Sequence, residues 1–399
     1  YTPDGIPTVY PAGSQSTFDV RTPSLDIWNT WRFDTGSVSH ELTYGGDWVQ
    51  DDVETTSPLG GGDVYTPSGR RLVSGAYVQE KLIWEWLEVV GALRYDSYEL
   101  SSDVGEAEGD RLSPRITVGV SPFQQLGHEG LDGLQLYGTY AEGYRSPSLS
   151  ETLMSGMHPA GVRFPFLPNP NLKPETAHTV EFGINYSRDG LFQAADSLRL
   201  KAAYFNNDID DYIGGQTLMA VGPGADPDCP FVPGPGAIPT CFQYQNFAKG
   251  KIDGFELESI YDTQWMFAGL SVSIIDGHTI NDDGIRESMV GVAPYQATAT
   301  LGFRTMENRL VFGAEVQYNA SATYDVLNER GIMTPYEVDD YTMVNLFASY
   351  KANENLSVNF RVDNLLDATY ENYLNAASVE GFYEPGITAK IGATMRFGG

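Results

Sequence analysis

Strict alternation of apolar and polar residues runs through much of this 399-residue sequence and limits what the chain can fold into. In the stretch ITAKIGATMRF, which begins at Ile387, every second residue is apolar. The stretches LSVNFRVDN and LVFGAEVQY, which begin at Leu356 and Leu310, follow the same rule. Period-two alternation places successive side chains on opposite faces of a strand. The chain is therefore predicted to be all-β, with about fifteen strands.

The polar side of these predicted strands carries charged residues in mid-strand, such as Lys390, Arg361 and Glu315. A polar interior inside an apolar exterior is the pattern of an outer-membrane barrel. Aromatic residues near predicted strand ends fit the interfacial girdles of such a barrel, namely Trp28, Trp31, Trp84, Trp86, Trp265, Tyr350 and Phe397. We therefore expect an antiparallel transmembrane β-barrel, and a soluble all-β protein is the alternative.

The predicted connections alternate between short turns and long loops. The long loops are residues 55–70, 100–110, 146–173, 214–240, 276–291, 320–339 and 370–384. Outer-membrane barrels have short periplasmic turns and long extracellular loops, so the long set is assigned to the extracellular side. If the last strand ends in the periplasm and the chain has an odd number of strands, Tyr1 lies on the extracellular side. We therefore expect residues 1–399 to form one partial barrel domain, with further strands before Tyr1.

Charge and cysteine content narrow the function. Acidic residues outnumber basic ones 53 to 24, which gives a formal net charge of -29 and excludes a nucleic-acid partner. Cys229 and Cys241 lie in a Pro/Gly-rich stretch and are predicted to form a disulfide in an oxidising compartment, with two free thiols as the alternative. The sequence shows no catalytic triad spacing and no phosphate-binding loop, so we predict no enzyme and no catalytic residue.

Two motifs bound the loop that starts after residue 145. YRSPSLSE, from Tyr144, resembles the FRAP box of TonB-dependent outer-membrane receptors, and NPNLKPE, from Asn169, resembles their NPNL box. VDNLLDATYENYL and VDDYTMVNLFASY resemble segments near the last strands of the same family. The residues assigned to the two boxes are Tyr144, Arg145, Ser146 and Pro147, then Asn169, Pro170, Asn171 and Leu172.

The resemblance implies a barrel of about 22 strands around an N-terminal plug. Such a barrel lies in the outer membrane of a Gram-negative bacterium, among lipid and lipopolysaccharide, and TonB acts on its plug. This chain would then supply the C-terminal ~15 strands, and the plug and the first strands would be absent from it. The loop between the two boxes would follow the thirteenth of the roughly 22 strands.

In the haem receptors of this family, a histidine between the two boxes is an axial ligand of the haem iron. The resemblance assigns this role to His158, with His278 as the rival, and makes haem the transported ligand rather than a tightly bound cofactor. Neutral imidazole is a good ligand for iron. The pocket candidates are Tyr144, Arg145, Met154, Met157, Phe164 and Phe166, with Arg145 as a partner for an anionic group. The alternative is that His158 is an ordinary surface residue of the loop.

The favoured function is a TonB-dependent receptor that takes up haem from an extracellular haem-carrying protein. A ferric-siderophore receptor of the same family is the main alternative, and it would not need His158. A passive porin-like or structural outer-membrane barrel is the alternative from another class.

Overall fold

The computed structural model describes residues 15, 17–56, 67–103, 105–126, 128, 130–158, 163–222, 225–234, 236–281, 284–289, 291–327, 333–373 and 382–397. Most of these residues lie in β-strands. Within this part of the chain, no helix has the length and apolar character needed to cross a membrane.

The elements follow one another along the chain as a long series of strands with one short helix, α1 (Leu149–Leu153). The strands are β1 (Thr17–Arg21), β2 (Ser24–Thr35), β3 (Val38–Thr56), β4 (Gly69–Trp84), β5 (Leu87–Ser101), β6 (Glu106–Val120), β7 (Leu134–Arg145), β8 (Gly156–Met157), β9 (Pro165–Leu167), β10 (Glu175–Asp189), β11 (Ser197–Met219), β12 (Thr240–Asp262), β13 (Met266–Ile280), β14 (Arg286–Ser288), β15 (Tyr295–Thr305), β16 (Leu310–Asn319), β17 (Ala322–Leu327), β18 (Met333–Val338), β19 (Tyr341–Lys351), β20 (Leu356–Asp363) and β21 (Thr388–Met395).

Nineteen of these strands form one sheet, and β17 and β18 pair separately. Four of the nineteen, β1, β8, β9 and β14, are short side strands, and the other fifteen form an antiparallel meander from β2 to β21. The predicted all-β, antiparallel fold is confirmed. In the described residues β21 pairs only with β20, and β2 only with β3, so the sheet is open with two free edges.

The register sorts the side chains of the meander into two faces. On one face Phe360 stands opposite Ile391, and both are exposed, at 45% and 79%. On the other face Arg361 stands opposite Lys390. The same division continues through the sheet, where Lys201 stands opposite Glu258 on the polar face. The large side chains of the apolar face are thus open to the surroundings rather than packed against a second protein layer, as expected for a lipid-facing surface.

The short and long connections fall on opposite ends of the meander, in the predicted alternation. One predicted long loop, residues 100–110, is wrong, because β5 extends to Ser101 and β6 begins at Glu106. The polar residues there belong to strands that continue beyond the apolar belt. The loop predicted at 214–240 is shorter for the same reason, because β11 runs on to Met219. Counted back from β21, β10 is the ninth strand of the meander.

Trp28, one of the predicted girdle residues, lies on the polar face of the sheet rather than on the apolar face. It stands opposite Gly45 and shares a face with Thr30, which pairs with Thr43 on the polar side of the sheet. A Cβ atom on Gly45 would lie 2.8 Å from the Trp28 Cβ, so glycine makes room for the indole. Trp84 and Trp265, at or beside the short turns, are exposed as the prediction requires.

The buried clusters lie on the long-connection side rather than inside the meander. One contains Tyr324, Val338 and Tyr373, and a second contains Tyr98 and Leu100 with two leucines of α1. The third surrounds the two cysteines. The packed cores of the described chain therefore shape the end of the sheet that carries the long connections, where the candidate site lies.

Candidate functional site

Two strands project far beyond the apolar belt and form one wall of the site. β11 and β12 each contain 23 residues and pair from Ser197 with Asp262 to Met219 with Thr240. A tilted strand needs only about 9–11 residues to cross a bilayer. The surplus residues of both strands lie on the long-connection side, where the first residues of β12 meet the loop between the two boxes.

His158 belongs to a short antiparallel piece of that loop. β8 pairs with β9, and the His158 backbone N–H donates to the Phe164 carbonyl oxygen at 2.9 Å. β9 then runs parallel to β12, with Phe166 beside Phe242. We call residues 156–158 and 163–167 the His158 segment. Its position is therefore fixed by main-chain pairing to the wall strand β12.

Aromatic side chains surround the imidazole. The His158 ring stacks on Phe164, with centroids 4.7 Å apart, and lies 5.9 Å from Phe166. Phe166 contacts Phe242 edge to face at 5.5 Å, and Phe242 contacts Tyr244 in the same way at 5.3 Å. One nitrogen-donor side chain thus stands beside a row of aromatic rings. Such a surface suits a flat, largely apolar ligand.

The predicted disulfide is confirmed. Cys229 and Cys241 are bonded, with Cα atoms 5.7 Å apart, and both are almost fully buried. They form a small core with Leu218, and Leu167 of the His158 segment packs against it. The disulfide therefore closes the loop between β11 and β12 directly behind the candidate ligand.

The NPNL-like box ties this loop to its neighbours. The Asn169 backbone N–H donates to the Thr152 carbonyl of α1, and its side-chain amide donates to the Tyr244 carbonyl at 2.9 Å. Asn171 donates its backbone N–H to the Asn169 side-chain oxygen, and Leu172 is buried. Pro170 lies at the turn between β5 and β6, where a Cβ atom on Gly105 would come within 3.1 Å of it. The contacts of the box are those of a scaffold.

The FRAP-like box contributes an ionic hub. Arg145 donates from Nε and Nη2 to the two oxygens of Glu175, both at 2.6 Å. Its remaining guanidinium nitrogen, Nη1, donates to Glu151 at 2.9 Å. Glu175 also accepts the Ile213 backbone N–H at 2.8 Å. Ser146 is buried and accepts a hydrogen bond from Arg71, and Pro147 is also buried. An anionic group of a ligand would have to compete with two carboxylates for Arg145.

The other predicted pocket residues take separate positions. Met154 is buried at the end of α1, and Met157 is the last residue of β8, directly before His158. Tyr144 packs near Tyr98, with ring centroids 6.4 Å apart, in the cluster that includes α1. Of the six pocket candidates, Phe164 and Phe166 contact the imidazole of His158 with their rings.

The rival histidine lies elsewhere. His278 was expected in a loop, but it is a buried residue of β13, 3.5 Å from Asp276. Its partner in β12 is Lys251, nine positions beyond Phe242, which is roughly 30 Å at the usual rise of a strand. The two histidines therefore lie in different parts of the structure, His158 beside the start of β12 and His278 in β13.

Sequence reasoning missed the residues that β12 brings to the site. Phe242 and Tyr244 alternate with polar residues directly after Cys241, in the run CFQYQNF. That alternation signals a strand with one aromatic face. It gives no indication that this face meets a loop 75 residues earlier in the chain.

A long antiparallel meander with an exposed apolar face, a charged opposite face and its long connections at one end is the architecture of outer-membrane β-barrel proteins. The family model described as "TonB dependent receptor-like, beta-barrel" matches residues 1–365. This chain therefore belongs to the TonB-dependent receptor β-barrel family, whose members are receptors and transporters rather than enzymes.

Several curated relatives of this chain have names that refer to heme or hemin. The chain is 26% identical over 388 residues to the heme/hemopexin utilization protein C of Haemophilus influenzae, covering 91% of this chain and 50% of that protein. It is 27% identical over 375 residues to the hemin receptor of Yersinia enterocolitica, covering 92% of this chain and 49% of that receptor. The chain thus spans about half the length of the curated relatives it matches.

Solved structures show the same fold. The hemophore receptor HasR of Serratia marcescens, in complex with its hemophore HasA and heme, superposes with a TM-score of 0.72 at 23% identity, covering 96% of this chain and 60% of that one. The ferric enterobactin receptor PfeA of Pseudomonas aeruginosa gives 0.68 at 19% identity, covering 95% and 54%. At these identities the likeness shows the fold alone.

Proposed function

We propose that this chain forms most of the barrel of an outer-membrane receptor that takes up haem, with His158 as an axial ligand of the haem iron. The observation that carries the proposal is the environment of His158. One imidazole stacks among Phe164, Phe166 and their neighbours at the extracellular end of the sheet. The relatives named for heme and hemin support the same ligand.

The chemistry of the site fits this ligand. A porphyrin supplies four nitrogen ligands to its iron, so the protein needs to add only one or two axial donors. The flat faces of a porphyrin gain from stacking on aromatic rings, which Phe242 and Phe166 offer beside the imidazole. His158 would bind iron, and the aromatic side chains would exclude water from the macrocycle.

A ferric siderophore is the second candidate ligand. It is supported by the ferric enterobactin receptor PfeA, whose fold matches nearly as well as that of HasR. Aromatic side chains also suit a catecholate-type ligand, but such a ligand has no need of an imidazole. The role of His158 therefore separates the two candidates.

Transport through the barrel rests on parts that belong to the whole receptor. We propose that further strands cover the two free edges, to a total of about 22, and that a plug fills the polar side of the sheet. TonB would act on that plug in the outer membrane of a Gram-negative bacterium, among lipid and lipopolysaccharide. The polar face, with Lys201 opposite Glu258, offers the ionic surface that such a plug would contact.

The donor of the haem would be a protein. The structural match to HasR in complex with its hemophore HasA supports an extracellular haem-carrying partner. The long connections lie on one side of the sheet and present exposed side chains such as Phe231 and Val221 to such a partner.

A hemin titration tests the proposal. The whole gene product is purified from outer membranes, and hemin binding is followed by the Soret absorbance for the parent, His158→Ala and His278→Ala. We expect His158→Ala to change the Soret position and to weaken binding by roughly 10- to 100-fold, the usual effect of disturbing a metal site. His278→Ala should resemble the parent.

His128→Ala is the matched control, because His128 lies in the short connection between β6 and β7, at the opposite end of the sheet. An unchanged spectrum and affinity in His158→Ala would remove His158 from the binding site. The second candidate would be favoured by three results together. A ferric siderophore binds tightly, this binding does not involve His158, and hemin does not bind.

A further inference from the structure

The His158 segment has two faces with different partners. His158, Phe164 and Phe166 lie together on one face, as the ring contacts show. Leu167, the next residue along the strand, packs instead against the core of Leu218 and the disulfide. Alternation along a strand produces this separation. The aromatic site and the disulfide core therefore lie on opposite sides of the same piece of sheet.

β12 shows the same division. Phe242 and Tyr244 contact each other on the aromatic face. Cys241, one residue before Phe242, is fully buried on the other face and stands opposite Leu218 of β11. Phe166 of β9 and Phe242 of β12 pair in parallel, so the aromatic faces of the two strands lie on the same side.

The loop closed by the disulfide also holds the His158 segment through its main chain. The Arg163 backbone N–H donates to the Gly236 carbonyl at 2.7 Å, and the Ile238 N–H donates to the Arg163 carbonyl at 3.1 Å. The Gln243 side chain donates to the Pro168 carbonyl at 3.1 Å. Arg163 within the segment and Pro168 just after it are thus anchored to the disulfide-closed loop and to β12, the strand that contains Cys241.

We infer that the Cys229–Cys241 disulfide and its loop position His158 for its ligand, so that the disulfide sets haem affinity without touching the haem. The inference rests on the proposed function. Because residues 236–243 pair with the His158 segment, opening the cross-link releases the surface against which that segment is ordered. The imidazole then loses its fixed orientation relative to Phe166 and Phe242.

The test combines the paired change Cys229→Ser/Cys241→Ser with His158→Ala. Hemin titrations are run on the parent, each variant and the triple variant, all as the whole gene product. We expect the paired serine change to weaken hemin binding roughly tenfold, the effect typical of groups that orient a metal ligand. We also expect its Soret position to move toward that of His158→Ala. In the His158→Ala background, the serine pair should cause no further loss.

Equal losses in both backgrounds, or no loss in either, would overturn the inference while leaving haem uptake intact. Absence of any His158-dependent hemin binding in the parent would instead refute the proposed function. Leu167→Ala provides a second variant if the serine pair fails to fold, because it disturbs the same core with the cross-link in place. It should give a smaller loss with the same dependence on His158.

Val338→Ala is the matched control. Val338 is 1% exposed in the core of β17 and β18, which contains neither the cysteines nor the His158 segment. A comparable loss of hemin affinity in Val338→Ala would show that any damage to an extracellular core has this effect, and would also overturn the inference.

Discussion

Replacing Arg145 by methionine tests whether the ionic hub holds the base of the candidate site. Arg145 ends β7, Glu175 begins β10, and Glu151 lies in α1. Glu175 also accepts the backbone N–H of Ile213 in β11. One guanidinium therefore joins four elements at the point where the loop that carries His158 leaves the sheet.

The expected cost follows from the exposure of the partners. The side chain of Glu175 is 11% exposed and that of Glu151 is 16%, so both carboxylates would lose their cation while shielded from water. Removing one partner of a fully buried pair costs about 3–5 kcal/mol. Arg145 itself is 44% exposed, and solvent screening lowers the expected loss to about 2 kcal/mol.

The double variant Arg145→Met/Glu175→Gln separates the loss of the ion pair from the cost of leaving the shielded Glu175 carboxylate without a cation. Glutamine keeps an oxygen that accepts the Ile213 N–H, but it leaves no unpaired carboxylate at this position. We expect the double variant to be about 1 kcal/mol more stable than Arg145→Met. Equilibrium unfolding in guanidinium, followed by tryptophan fluorescence in detergent micelles, measures both free energies of unfolding.

The control is Arg199→Met. Arg199 pairs with Asp189 at 2.7 Å near a short connection and is 46% exposed, much like Arg145, but its partner Asp189 is 75% exposed. We expect a loss below about 1 kcal/mol, as is usual for surface pairs. The reasoning is refuted if Arg145→Met costs no more than Arg199→Met, or if the double variant is less stable than the single one.

Two further predictions concern connections outside the site. Asn364 has a φ of 53° and hydrogen-bonds Ala368 with both its side-chain oxygen and nitrogen, so Asn364→Ala should be about 1 kcal/mol less stable than Asn364→Gly in unfolding measurements. Burial would raise the pKa of Asp196, but hydrogen bonds from Tyr261 and the backbone N–H groups of residues 191–193 outweigh it and lower the pKa. Its carboxylate therefore stabilises the fold above the unfolded-state pKa, and this stabilisation is lost as the pH falls through the lower folded-state pKa. Asp196→Asn should reduce the acid-side fall in stability, and an identical pH profile in both proteins would contradict this.

Local alternation decided the class of fold. Period two is a relation between residues i and i+2, so the runs that start at Leu310, Leu356 and Ile387 predicted strands, their faces and their approximate number. The same rule failed where polar residues continue a strand past the apolar belt, as between Ser101 and Glu106. Composition there resembles that of a loop, because a strand in water needs no apolar face.

The motifs located the candidate site but not its neighbours. The two boxes bound the loop that carries His158, and the cysteines predicted their own bond. The sequence by itself did not show that Phe242 packs on Phe166 beside the imidazole, that Arg145 is bound by two carboxylates, or that His278 lies in a strand. These are contacts between segments far apart in the chain, and they depend on strand register and loop packing. Only the tertiary structure fixes those relations, because many registers satisfy the same alternation while one brings the aromatic face of β12 to His158.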